Sequence, residues 1–165
     1  MTQVCLVGDD EVNLRYELLS RETARNALAT YDLREPFENT VAVETVSLGA
    51  AVALLNDLNW YLVRFVDAAL VKEPSISENE WLSRDLAAAI RDDAVTSDET
   101  DRFLMVYGVE DQSDATDPDD PDTQRPPRLV EPMLVTRTGE VIPEYDLRAV
   151  EETLVVRVTG EEFGA

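Results

Sequence analysis

The stretch LGAAVALLNDLNWYLVRFVDAALV, residues 48–71, decides how this chain folds. Leu48, Val52, Leu55, Leu58, Leu62, Phe65, Val66 and Ala69 step by three, four or one, which traces one face of a helix. Ser47 supplies an N-cap, and no proline interrupts the run. The spacing predicts one long helix from Leu48 to Val71. A rival reading breaks the helix near Asn59 and makes Tyr61 to Val66 a buried strand. Its support is the aromatic and β-branched content of Trp60, Tyr61, Val63, Phe65 and Val66. Arg64 and Asp67 favour the helix: they pair across one turn there, whereas inside a central strand both charges would be desolvated. The same charges, with Asn56, Asp57 and Asn59, exclude a membrane span.

Toward the N-terminus, Gln3 to Val7 reads as a short buried strand closed by Gly8. Asp9 and Asp10 follow, and Asp10 is the expected cap of a helix from Asn13 to Thr30, with Asp9 solvated. Leu14, Leu18, Leu28 and Tyr31 line that helix, and Glu11–Arg15 and Glu17–Arg21 are i,i+4 pairs. Thr40 to Val46 alternates as a second strand. Toward the C-terminus, Ser77-Glu78-Asn79-Glu80 has the form of a capping box, predicting a helix from Trp81 to about Asp92. Arg102 to Val109, Leu129 to Thr136 and Thr153 to Val158 read as strands. The first two form a hairpin around an acidic stretch at 110–127, expected to be a mobile loop. The fold expectation is therefore α+β, as a single domain over 1–165. A mixed sheet of about five strands carries three helices packed mainly on one face. With the rival strand at 61–66, the first half becomes alternating α/β.

The 165 residues hold 35 acids and 14 bases, a net charge of −21, or about one negative charge per eight residues. Lys72 is the only lysine; the other bases are arginines. Self-repulsion on this scale opposes a compact state, and concentrated salt removes it, because the Debye length falls to ~3 Å at 1 M. Arginine's guanidinium is also more weakly hydrated than an ammonium group. These features predict a cytoplasmic protein of a salt-in halophile, with solvent K⁺ at its acidic surface. No basic region followed by a long apolar run opens the chain, so no signal peptide is expected.

The chain has no histidine, which removes imidazole general bases, Ser-His-Asp and Cys-His pairs, and histidine metal sites. Cys5 is the only cysteine, which leaves no intrachain disulfide and no thiolate zinc site. Placed between Val4 and Leu6, it reads as an inert core thiol. No glycine-rich phosphate loop, Gly-x-Ser-x-Gly elbow or basic aromatic stripe occurs, so nothing points to nucleic acid. Asp117 to Asp122 superficially suggests a calcium loop. It lacks the turn glycine, and Arg128 stands at its twelfth position. Gly8-Asp9-Asp10 after a strand is the sharpest chemical motif, since paired carboxylates at a strand end hold Mg²⁺ in phosphoryl-transfer folds. A receiver-like reading would need a lysine on a later strand, and Lys72 stands elsewhere.

Two further groupings are candidate contact residues. Trp60, Tyr61 and Arg64 are anchor types of protein interfaces; the competing reading packs both aromatics in the core. Tyr31-Asp32-Leu33-Arg34 and Tyr145-Asp146-Leu147-Arg148 are identical tetrapeptides. They read either as two similar turns or as a pair presenting Tyr31, Arg34, Tyr145 and Arg148 to one ligand.

Five pieces, Cys5–Gly8, Leu14–Leu19, Asn59–Asp67, Glu73–Ser77 and Tyr145–Arg148, resemble a family of small acidic haloarchaeal proteins of unknown function. The resemblance covers most of the chain outside the acidic stretch and brings no catalytic residues with it. The functional expectation is a non-enzymatic module that binds a protein partner or a second copy of itself, with no cofactor and no membrane. A metal-dependent hydrolase or phosphotransfer enzyme at Asp9 and Asp10 is one alternative. A small-ligand sensor using the two tetrapeptides is another.

Overall fold

Alternation along the first strand sorts the two faces of the sheet. In β1 (Thr2–Gly8), Val4 and Leu6 point to one side and Cys5 and Val7 to the other. The computed structural model describes residues 1–96, 100–110, 126–139, 141–147, 150 and 152–163. Within them the elements run β1, α1 (Leu14–Leu19), α2 (Glu22–Leu28), β2 (Thr40–Thr45), α3 (Leu48–Asp57), α4 (Asn59–Phe65), β3 (Val66–Lys72), β4 (Trp81–Ser83) and α5 (Arg84–Arg91). They continue with β5 (Phe103–Glu110), β6 (Arg128–Thr136), β7 (Glu152–Arg157) and α6 (Gly160–Phe163).

The strands form one sheet in the order β2-β1-β3-β4-β7-β5-β6. All neighbours are antiparallel except β4 and β7. The architecture is thus α+β with a mixed sheet. Helices α1 to α5 cover one face over β2, β1, β3 and β4, and Val4, Leu6, Val41, Val43, Val71 and Leu82 meet Leu14, Leu18, Leu55, Leu58, Leu62 and Leu86 there. Farther along that face, under β5 and β6, Tyr145 packs on Leu104, Val106 and Val135. The opposite face holds Cys5, Leu70, Trp81, Tyr107, Leu154 and Val156. The sheet curls toward this face: just before the two edge strands, the Glu38 N–H donates to the Pro127 carbonyl at 2.8 Å.

Among the described residues, seven strands and six helices replace the expected five and three. The decisive stretch is neither one helix nor a helix with a strand at 61–66. Residues Ala51, Val52, Leu54, Leu55, Leu58, Tyr61 and Leu62 are buried at helical spacing, and the chain turns extended at Val66 (φ −112°, ψ 126°). β3 then pairs with β1, from Gly8↔Val66 to Gln3↔Lys72. The charge argument against a strand fails because the boundary falls between the two charges. Arg64 stays on exposed helix, and Asp67 is exposed at the strand's start.

The expected helix 13–30 is two helices. Ser20 closes α1 by donating its N–H to the Tyr16 carbonyl, and Arg21 is extended. Its cap is Asn13, whose side chain accepts from the Tyr16 N–H at 3.1 Å, and not Asp10. The apparent capping box at 77–80 precedes a strand instead. Ser77 Oγ accepts the Asn79 and Glu80 amides in a turn, and Glu80 turns away to two arginines. Ser83 caps the true helix by accepting from Leu86 N–H at 3.2 Å.

The β5–β6 hairpin forms, with Phe103↔Thr136 and Glu110↔Arg128 at its two ends. The loop expected at 110–127 lies, from 111 to 125, outside the described residues, as do Asp117 to Asp122 and Arg148. Among the described residues no helix is long and apolar enough to cross a membrane.

Candidate functional site

Helix α4 displays the most distinctive exposed surface. Trp60 is 47% exposed and Val63 72%, while Tyr61 between them is 8% exposed and packs in the core. Helical spacing explains the split: Tyr61 and Leu62 face the sheet, and positions 60, 63 and 64 share the outer side. The Arg64 guanidinium lies 3.9 Å from the Trp60 ring centre and donates to the Trp60 carbonyl at 2.9 Å. From α1, the Arg21 guanidinium sits 5.4 Å from the Trp60 ring and 5.1 Å from the Phe65 ring. Glu17 holds Arg21 at 3.4 Å. Trp60 meets Tyr61 edge-on at 5.0 Å and Phe65 at 6.1 Å. Two guanidinium groups thus fix an exposed indole, so less of its rotamer freedom remains to be lost on contact.

Gly8-Asp9-Asp10 forms a structural knot. Asn39, in the left-handed region (φ 56°), donates from its side chain to the Asp9 carbonyl at 2.9 Å and accepts from the Leu14 N–H at 2.9 Å. Its carbonyl also accepts the Gly8 N–H at 2.9 Å. A Cβ on Gly8 would stand 2.7 Å from the Asn39 amide nitrogen and 2.8 Å from Leu14 Cβ, so glycine is required there. Asp9 Oδ1 accepts the Glu11 N–H at 3.0 Å, closing a short turn. Asp10 is exposed at the rim of a cleft with Glu35, Glu38 and Arg128. Among the described residues, no three acidic or cysteine side chains converge as a metal site would need. Cys5 is fully buried, and burial pushes its thiol up to about 12, although Thr40 hydrogen-bonds it. Tyr107 behind it is pushed up to about 12 by burial, with Asp67 and Cys5 adding to the shift.

The two tetrapeptides are not brought together. Tyr31 packs against the helix-side core, while Tyr145 packs beneath β5 and β6 and donates its hydroxyl to the Glu131 carbonyl at 2.7 Å. Arg34 pairs with Ala42 on the outer edge of β2, through backbone bonds of 2.9 and 2.8 Å.

Two polar groupings escaped sequence reasoning. Glu80 bridges Arg137 (2.5 Å) and Arg157 (2.7 Å), all three largely buried, and Arg157 also reaches Thr100 at 3.1 Å. Burial raises the Glu80 carboxyl, but its bonds to Arg157 and Arg137 outweigh that and hold it below the ordinary value. Thr159 and Glu162 form a reciprocal capping box on α6, and Glu162 also accepts from Ser83 Oγ at 2.5 Å. The Thr-x-x-Glu spacing at 159–162 was visible in the sequence; the Glu80 bridge joins positions up to 77 residues apart and left no local signal.

A family model, the family of unknown function DUF5804, matches residues 2–109, and the chain belongs to that family. No curated protein and no solved structure matches the chain. The matched span ends within β5, yet β7 from beyond it lies between β4 and β5 in the sheet.

Proposed function

We propose, for this member of a family of unknown function, a non-enzymatic binding module that engages an acidic segment of another protein through Trp60, Val63, Arg64 and Arg21. The observation that carries this reading is the exposed Trp60 indole contacted by two guanidinium groups on a chain of net charge −21. Trp and Arg are the residue types most enriched at binding hot spots, and an anchor that is already ordered loses less entropy on docking. Arg64 has no carboxylate within ion-pair distance among the described residues. A partner's Asp or Glu can therefore reach it. The working environment in this reading is the cytoplasm of a salt-in halophilic archaeon, with K⁺ around the acidic surface. The support is the charge of −21 and the single lysine.

The test is affinity capture in multimolar KCl with the unsubstituted chain and a Trp60→Ala, Val63→Ser variant. A partner recovered about tenfold less by the variant, with unchanged circular dichroism, is expected, since a buried hot-spot Trp carries at least 1–2 kcal/mol. The same set of captured proteins from both chains would rule the patch out. Sedimentation of the purified chain in the same salt separates a foreign partner from a second copy.

A further inference from the structure

Away from the Trp60 surface, two positive charges with no carboxylate partner among the described residues share one concavity. Arg34 and the chain's only lysine, Lys72, both line a cavity of about 300 Å³ on the curled face, with Phe37 and Trp81. Among the described residues, neither Arg34 nor Lys72 lies within ion-pair distance of a carboxylate. Glu44 also lines the cavity, but its carboxylate faces the Gln3 amide at 3.5 Å. Lys72 instead lies with its ammonium 4.7 Å from the Trp81 ring centre.

The walls are ordered before any ligand arrives. Two backbone bonds to Ala42 fix Arg34 at the rim. The Phe37 N–H donates to Thr40 Oγ1 at 3.2 Å, and that hydroxyl donates back to the Phe37 carbonyl at 2.7 Å. Trp81 is 8% exposed, so its ring forms a fixed wall. The volume is at the lower end of small-molecule sites, roughly 300–1,000 Å³.

We infer that this cavity binds a small organic anion with a flat apolar body. The anionic head meets Arg34 and Lys72, and the body lies against Trp81 and Phe37. In concentrated salt, charges act only over ~3 Å, so the head must touch its cations and the apolar body must supply part of the affinity. An inorganic anion or acetate lacks that body, and a neutral aromatic lacks the head.

Trp60 and Trp81 are the only tryptophans, so a Trp60→Phe chain reports on Trp81 alone. In multimolar KCl its emission is titrated with potassium benzoate, phenyl phosphate, potassium acetate and benzyl alcohol. Saturable change is expected with benzoate and phenyl phosphate only. Lys72→Gln and Arg34→Gln, each with unchanged far-UV circular dichroism, are both expected to weaken benzoate by about fivefold or more, the loss of one charged contact. No saturation with either aromatic anion, an equal response to benzyl alcohol or acetate, or unchanged benzoate affinity in either variant would overturn the assignment. Trp60 is already replaced in this chain, so the result is independent of the proposed docking surface.

Discussion

The two ends of the sheet are built on different terms. Residues 1–91 supply β2, β1, β3 and β4 and all five helices of the covered face, and carry 15 acidic against 8 basic residues. Residues 92–165 supply β5, β6 and β7 and carry 20 acidic against 6 basic residues in a shorter span. The early half buries Leu14, Leu18, Leu55, Leu58 and Leu82 at 0–1% exposure in one aliphatic cluster. On the same face, the late half's cluster is smaller, formed by Leu104, Val106, Val135 and Tyr145. The halves meet along β4 and β7 through two residue pairs, Trp81↔Val156 and Leu82↔Arg157, beside the Glu80 bridge. Charge repulsion is thus concentrated where apolar burial is smallest. Salt dependence, if the solvent is brine, should be a property of the late half.

The largest expected effect follows from that asymmetry. Lowering KCl from molar to about 0.1 M lengthens the Debye length from ~3 Å to ~10 Å, and like charges across the late half begin to repel. Hydrogen exchange measured across a KCl series should show β5, β6 and β7 losing protection at higher salt than β1 and β3. Simultaneous loss in both halves would show one cooperative unit and break the comparison.

Glu80 tests the seam. Removing its carboxylate strands two largely buried guanidinium groups, and Glu80→Gln should destabilise by about 3 kcal/mol, at the low end for a broken buried pair. For a chain of this size, that lowers Tm by roughly 6–12 °C. The partly buried bridge is poorly screened, so the loss should persist in molar KCl, unlike the exposed repulsions. The folded-state pKa of Glu80 lies below its ordinary 4.5, so its stabilisation is present above that value and drains away as pH falls through the folded pKa. Thermal melts between pH 7 and pH 3 should therefore show a shallower acid loss in Glu80→Gln. Equal slopes would exclude the bridge as an acid-sensitive seam.

This seam also marks where sequence reading stops. β1, β2, β5, β6 and β7 were legible because their alternation is local. β3 was hidden because the apolar spacing of Leu48–Leu62 runs on through Phe65, Val66 and Ala69, which pack in the same core cluster from a different backbone. β4 was hidden because three residues, Trp81–Ser83, follow a Ser-x-x-Glu pattern that equally begins a helix. What separates the outcomes is the pairing of Leu82 with Val71 and Arg157, across 11 and 75 positions. At the candidate surface, the Trp60–Arg64 pairing was readable from i,i+4 spacing. Arg21 came from another helix and the Arg34–Lys72 cavity from four strands and the segment before β2, and no window of sequence contains either.

Two glycines probe how firmly each half is packed. A Cβ on Gly8 would press on Leu14 Cβ at 2.8 Å and on Asn39, which is pinned by four hydrogen bonds. A Cβ on Gly108 would press on the Tyr145 ring and Val130 Cγ2, both at 2.8 Å. The contacts are equally short, but Tyr145 rides on a segment outside the strands. Gly8→Ala should cost about 3 kcal/mol and Gly108→Ala about 1, the two ends of the usual range for overpacking. Chemical denaturation of the two variants in molar KCl measures this, and a reversed order would mean the late half is the stiffer one.

The smallest effect sharpens the same point. Tyr145→Phe removes one hydroxyl that donates to the Glu131 carbonyl at 2.7 Å, a loss of about 1 kcal/mol. That bond anchors the ring against which a Gly108 side chain would press. If it is what resists displacement, the ring yields more easily once the hydroxyl is gone. Gly108→Ala combined with Tyr145→Phe should then cost less than the sum of the single changes, by about 0.5 kcal/mol or more, as expected for residues in direct contact. Strict additivity would place the resistance in Val130 and the β5–β6 ladder, making the late half rigid in its strands and soft only in its charge.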